Sequence, residues 1–330
     1  MKAAVYHGPR DIRVEDIDRP GIAADEILVR VRACGICGSD LHMYRLGMFE
    51  ALGRPVANGR VMGHELSGEV VEVGPQVTEF RVGDRITGVG LGGFAEYVPV
   101  QINERGPYLL PANMSFAEGA TLEPLATSLH GVGLAQPATG ETVVILGAGI
   151  IGLGCVQAIR ATVASCRIIV VDASARRLDM ARQFGADATV NFTTTDALEA
   201  VIALTGGARP IERFGVRGGN ADVVLDCAGA RLSPRQGLEM LKQLNGRLVL
   251  VALFEQQPEL DFNQVVRKHV TIHGSWTWTR QDFQQAIALV QSGRIDRQPL
   301  ISHQFPLDEA PHAFATQDRP DAAIKVVLTP

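Results

Sequence analysis

The sequence predicts an α/β protein in two parts: a small antiparallel barrel or sandwich, and a doubly wound parallel sheet. Three observations predict it. Up to about residue 115, short alternating segments are punctuated by Gly, Pro, Asp and Asn. Beyond about Pro111, apolar runs alternate with helical stretches. One strand-to-helix junction carries a glycine-rich loop, Gly147-Ala148-Gly149-Ile150-Ile151-Gly152. Period-two alternation marks half-buried antiparallel strands, and strand–helix alternation marks a parallel sheet.

In the first part, Ile27, Val29 and Val31 alternate with polar neighbours, as do parts of SGEVVEVG and FAEYVPV. FRVGDRI reads as a turn between two such strands. In the second part, ETVVILGAG reads as a buried strand and IIGLGCVQAIRAT as its helix. RIIVVD and SARRLDMARQFGA repeat the unit, and ATVNF with DALEAVIALTG repeats it again. ADVVLDCAG, GRLVLVALF and HVTIHGSW supply three more strands, six in all. A helix, RQDFQQAIALVQSG, and short strands then return to the first part. The segment Gly206–Asn220 precedes a strand and reads as a solvated or subunit-contact loop.

The composition, 46% hydrophobic and 20% charged over 330 residues, is that of a globular chain with room for two cores. A net charge of -5 argues against a nucleic-acid binder. No apolar run reaches the roughly 18 residues of a membrane span. The N-terminus has no apolar signal core, so the expected compartment is the cytoplasm. The five cysteines are odd in number and scattered, which argues against a disulfide framework. Cys155, Cys166 and Cys227 lie in apolar runs and read as buried hydrophobes.

The glycine loop predicts a dinucleotide site. Gly147 allows the tight turn, Gly149 close approach of a pyrophosphate, and Gly152 helix–strand packing. The helix begins at Ile150 and Ile151, and its free N–H groups face the phosphates. Asp172, 20 residues beyond Gly152, can accept the ribose hydroxyls, which favours NAD over NADP. The alternative is that Asp172 or Ser174 caps the next helix. Arg176 and Arg177 can tolerate a phosphate and weaken the preference. Gly229 and Val251, at the carboxyl ends of later strands, should line the cofactor.

The segment RACGICGSDLH raises a second question, because Cys34 and Cys37 are three apart. Zinc takes Cys, His and carboxylate ligands, and a catalytic site keeps one position open. Cys37, His64, Glu65 and Glu123 are available, yet each alone has a structural reading. A histidine in a glycine-flanked turn is often structural, and a glutamate before proline often starts a helix.

GICGSDLH, GHELSGEVVEVG, FRVGDRI, GGFAEYV, EPLATSLHGV and ILGAGIIGL occur in that order. Together they resemble the zinc-dependent medium-chain dehydrogenase/reductase family, near its sorbitol, butanediol and threonine dehydrogenase branch. The resemblance covers nearly the whole chain. It implies a GroES-like catalytic domain (1–124 and 276–330) and a six-stranded Rossmann domain (125–275), with the active site in the cleft between them. It implies Cys37 and His64 as catalytic zinc ligands. Glu65 is a ligand in some states and beside the metal in others, and Glu123 is a direct or water-bridged ligand. Ser39 would pass the substrate proton and His42 would hand it to solvent. Cys34 matches a non-ligand position. Many members carry four closely spaced cysteines, holding a structural zinc, after the VGDR turn. This chain runs on as GDRITGVGLGGFAEYV, so no structural zinc is expected.

The implied reaction interconverts a secondary alcohol, diol or polyol and its ketone by hydride transfer. Trp276 and Trp278 could wall the substrate pocket or fill an interface. Two alternatives are a threonine-dehydrogenase-like oxidation of an amino alcohol and a non-catalytic dinucleotide-binding or structural member. The exposed edge of the sixth strand suggests a homodimer or homotetramer.

Overall fold

The computed structural model describes residues 1–48, 53–207 and 218–330. Most of the Gly206–Asn220 segment therefore lies outside the described residues. The chain divides into two compact units: Met1–Pro124 together with Thr279–Pro330, and Leu125–Trp278.

The first unit holds a seven-stranded and a four-stranded sheet. The strand Glu26–Gly35 is central to the larger sheet, pairing with Glu65–Val73, Tyr97–Gln101 and Lys325–Thr329. Ile27, Val29 and Val31 are at most 1% exposed and join one core with Ala3, Val5, Phe94 and Phe314. Leu28 is equally buried, so the alternation read in the sequence is partial. This strand is covered on both faces, and burial on both faces erases period-two patterning.

One register feature places the site. Gly35 lies opposite Glu65 on one neighbouring strand and opposite Val327 on the other. The helix Gly38–Leu46 begins three residues later, with Cys37 as its N-cap. Cys37, Glu65 and Lys325 are thus gathered around the end of one strand.

The second unit holds a six-stranded parallel sheet. Its spatial order is Ala188–Asn191, Arg167–Asp172, Thr142–Leu146, Val223–Asp226, Arg247–Leu250 and Thr271–Gly274. This is the doubly wound dinucleotide-fold order, with the switch point beside Thr142–Leu146. Val143–Ile145, Ile168–Val170 and Val223–Leu225 are all 0% exposed. That accounts for their unbroken apolar runs, since both faces are covered. Both expected folds, GroES-like and Rossmann, are present.

Candidate functional site

Cys37, His64 and Glu65 each place a ligand-type atom within 4.8 Å of the other two. Helix onset fixes Cys37. Asp40, in the first turn of Gly38–Leu46, accepts a hydrogen bond from the Cys37 backbone N–H at 2.9 Å. The same carboxylate lies 3.9 Å from His64 Nδ1, beyond hydrogen-bond reach but close enough for its charge to act on the ring. His64 follows Gly63, whose φ of +89° makes the turn into the strand Glu65–Val73. A side chain at Gly63 would strike Phe94, so the turn is constrained by packing as well as by backbone.

The electrostatics centre on this group. Burial pushes the Asp40 carboxyl up, against the pull of His64 and the Cys37 N–H. Burial disfavours a charged His64, but Cys37, Asp40 and Glu123 together hold its pKa well above the usual value. Glu65 is 1% exposed, and its Oε2 accepts a hydrogen bond from Lys325 Nζ at 2.6 Å. Its Oε1 is buried with no hydrogen-bond partner. A carboxylate oxygen so placed is costly unless a cation completes it. Thiol, imidazole and carboxylate converging with one oxygen unsatisfied suit a divalent zinc ion.

Glu123 is not one of the three donors within 4.8 Å of each other, although its charge acts on His64 and Lys325. It stands in the first turn of the helix Leu122–Ala135. Ser39 and His42 are partly buried on Gly38–Leu46, one turn apart. Cys34 is fully buried, and burial pushes its thiol well up. Lys325 escaped the sequence reading. Its signal was a lone charge in the apolar run AAIKVVL.

In the second unit, Gly147 adopts φ +89°, and a Cβ on Gly152 would come 1.9 Å from Gly147 O. Gly149 caps the helix Ile150–Thr162, and a Cβ there would meet nothing within 4 Å. Asp172 is 8% exposed. It accepts hydrogen bonds from Ala148 N at 2.6 Å and from Ser174 N at 2.8 Å. Ser174, the N-cap of Ala175–Gln183, makes no side-chain cap, and Asp172 ties the glycine loop to the N–H of that cap residue. Arg177 is partly buried in the first turn of Ala175–Gln183. A Cβ on Gly229 would strike Leu253 O, so the loops holding Gly229 and Val251 touch.

Cys155 and Cys166 are buried as expected, but Cys227 is only partly buried, with its Sγ 3.9 Å from Cys155 Sγ. Its position just past the strand Val223–Asp226 opens one side to the loop region. The two tryptophans differ: Trp278 is 5% exposed and Trp276 66%.

Residues 23–110 match the family model of the alcohol dehydrogenase GroES-like domain, and residues 151–292 that of zinc-binding dehydrogenases. The chain is 31% identical to the sorbitol dehydrogenase of Halalkalibacterium halodurans, over 100% of this chain and 99% of that protein. It is 31% identical to the (R,R)-butanediol dehydrogenase of Bacillus subtilis, over 100% of each. The solved structure of a zinc-binding dehydrogenase from Sinorhizobium meliloti bound to NADP aligns with a TM-score of 0.84. That match is 31% identical and covers 100% of this chain and 99% of that one.

Proposed function

The chain belongs to the zinc-dependent medium-chain dehydrogenase family, and from that premise we propose how it works as an oxidoreductase on a secondary alcohol, diol or polyol. The observation that carries the reading is the convergence of Cys37, His64 and Glu65, with one buried glutamate oxygen left unsatisfied.

Cys37 and His64 would hold one zinc per chain, with Glu65 and Glu123 as the carboxylate donors. When bound, zinc would supply Lewis acidity for an alcohol oxygen and the nicotinamide dinucleotide the hydride chemistry. Asp40 fixes the helix start through the bond from the Cys37 N–H, and its charge acts on the imidazole. Ser39 would accept the substrate hydroxyl proton while releasing its own toward His42, three residues on along the same helix face, which would release a proton to water. The N-terminus of Ile150–Thr162, with Gly147, Gly149, Ile150, Ile151 and Gly152, binds the pyrophosphate. Gly229 and Val251 border the rest of the dinucleotide.

Asp172 favours NAD over NADP. Each of its oxygens receives one backbone N–H and keeps acceptor capacity for a ribose hydroxyl. Arg177 nearby is the residue that could admit a phosphate. No cysteine lies between Cys37 and Cys155, which supports a single catalytic zinc with no structural zinc. The edge strand Thr271–Gly274 and the exposed Phe262, Val266 and Trp276 support a homodimer or homotetramer. Among the described residues no helix is long and apolar enough to cross a membrane. Five unpaired thiols support a reducing compartment, the cytoplasm.

The test is elemental analysis of the purified protein beside turnover of a panel of diols and polyols with NAD and with NADP. One zinc per chain, with chelator-sensitive NAD-linked activity, is expected. Two zincs would overturn the single-site reading. Equal turnover with NADP would overturn the role of Asp172, and a zinc-free active enzyme would overturn the metal centre.

A further inference from the structure

The helix Gly38–Leu46 carries a polar stripe of which the proposed chemistry uses two members. Ser39, His42 and Arg45 recur every third residue, so they stand one above another, and all three are partly buried. Arg45 ends the stripe in the last turn, where its Nε donates to Asp318 Oδ1 at 2.5 Å. Asp318 is the C-cap residue of the helix Ala310–Gln317, and its side chain is 15% exposed. Its other oxygen accepts a hydrogen bond from Arg10 Nη1 at 3.2 Å. Arg10 holds the same helix end a second time. It lies in the tight turn between Lys2–Gly8 and Asp11–Asp16 at φ +62°, a left-handed conformation that is uncommon for a residue with a side chain. There its N–H donates to Tyr44 O at 2.7 Å, and its guanidinium stands 5.7 Å from the centre of the Tyr44 ring. The Tyr6 hydroxyl donates to Met43 O at 3.2 Å. Two of the last four carbonyls of the helix are thus met from the N-terminal hairpin.

We propose that Asp318 is a positioning residue: by tying Arg45 to Arg10 it sets the rotation of the helix Gly38–Leu46, and with it the line of Ser39 and His42 along which the substrate proton leaves. The proposal rests on the proton-relay reading above. A helix of nine residues has little stability of its own, so its orientation follows from what holds its ends. The first turn is held by Asp40 and the Cys37 N–H. At the last turn, Asp318 joins residues 273 and 308 positions away in the chain. Apolar packing of Tyr44 on Phe314, with ring centres 5.4 Å apart, fills space there but has no fixed direction. Charged hydrogen bonds do have one. Because Arg45 shares the stripe of Ser39 and His42, a turn of the helix that frees Arg45 moves the relay groups as well. Without Asp318 the metal end should stay in place and the relay should lose its alignment.

The experiment compares full-length wild type, Asp318→Ala, Arg45→Met, the double variant and Arg45→Lys. It reads backbone hydrogen exchange over residues 38–48 in the protein without substrate. It also reads kcat, the solvent deuterium isotope effect on kcat, zinc content and NADH affinity. In Asp318→Ala, exchange should quicken in the last turn of the helix and kcat should fall about tenfold or more, within the scale of a 1 Å misplacement of reacting groups. The solvent isotope effect should rise, because proton transfer has become the slow step, while zinc content and NADH affinity hold. Arg45→Met should reproduce these changes, and the double variant should be no worse than either single one. Arg45→Lys keeps the ion pair and should keep most of the rate. Arg45→Met carries the test if Asp318→Ala does not fold. A folded Asp318→Ala with wild-type kcat overturns the proposal alone. So does a fall in rate with an unchanged solvent isotope effect, the mark of a merely structural part, and so do losses that add in the double variant. A wild-type rate in Ser39→Ala overturns the relay itself.

Discussion

Lys325 in the first unit and Lys268 in the second are both removed from water, but they are held differently. Lys325 faces a carboxylate, and the acids around it keep its pKa above the usual value against the cost of burial. Lys268 donates to three carbonyls, of Leu238, Glu239 and Leu241, at 2.8, 2.9 and 2.9 Å. Burial lowers its pKa to about 8. The acids divide the same way. Asp40 and Glu65 meet His64 and Lys325. Asp172 and Asp226 meet backbone N–H groups, Asp226 taking those of Ala228 and Gly229 and the Ser233 hydroxyl. In the first unit, buried charges are arranged around one another, as suits a cation. In the second they pin loops at the ends of strands, as suits a bound nucleotide.

The largest expected effect tests the first half of that contrast. Cys37→Ala and His64→Ala should lose zinc and roughly 10³-fold or more of turnover together, because the Lewis acid is worth several kcal/mol. NADH titration should be unaltered. Full turnover by a zinc-free Cys37→Ala protein would break the comparison. Ser39→Ala should keep its zinc and lose about 10²-fold in rate, the scale of general acid–base catalysis. An unchanged rate would show that the proton leaves by another route.

The next effect is a pH dependence in the second unit. Lys268 titrates at about 8 when folded, against an ordinary 10.5. Between those values the unfolded chain binds more protons than the folded one. The lysine's penalty is therefore full below about pH 8 and is relieved as pH rises to 10.5. Relative to Lys268→Met, the unfolding free energy of the wild type should rise by about 3 kcal/mol across that window. A flat difference would mean that the three carbonyls sustain the ammonium fully, and the two lysines would then be alike.

The smallest effect concerns Asp226. Asp226→Asn should lower stability by about 1–2 kcal/mol, the scale of a weakened buried hydrogen-bond set. NADH affinity should fall with it while zinc content stays at the wild-type level. Loss of zinc in this variant would show that the two sets of buried charges are not independent.

The second unit was the easier to read from sequence. Strands covered on both faces announce themselves as Val143–Leu146 and Ile168–Val171, and the glycine loop follows the first of them. Cys37, His64 and Glu65 were legible as residue types in short motifs, and their resemblance to a family supplied roles. Lys325 was legible only as a lone charge in an apolar run; its place beside Glu65 was not, because that depends on the pairing of Val327 with Gly35 and on the space Gly35 leaves empty. The bond from Ala148 N to Asp172 was missed for a related reason. It joins the glycine loop to the end of a strand that lies beside it only because the two strands are neighbours in the sheet. The differing fates of Trp276 and Trp278 left no mark in the sequence, where they are two residues apart.

The pairing around Gly35 also sets an order of assembly. Cys37, His64 and Glu65 come from neighbouring strands and a helix within one stretch of chain, so they can meet through fairly local contacts. Lys325 joins them only after a further 260 residues, a span that includes the whole six-stranded sheet. Contacts of such separation form late, because the loop they close must first be drawn in. The nascent first unit therefore presents its thiol, imidazole and carboxylate before the ammonium arrives. The lysine's arrival therefore marks the closing of the first unit's larger sheet, as the strand Lys325–Thr329 takes its place beside Glu26–Gly35.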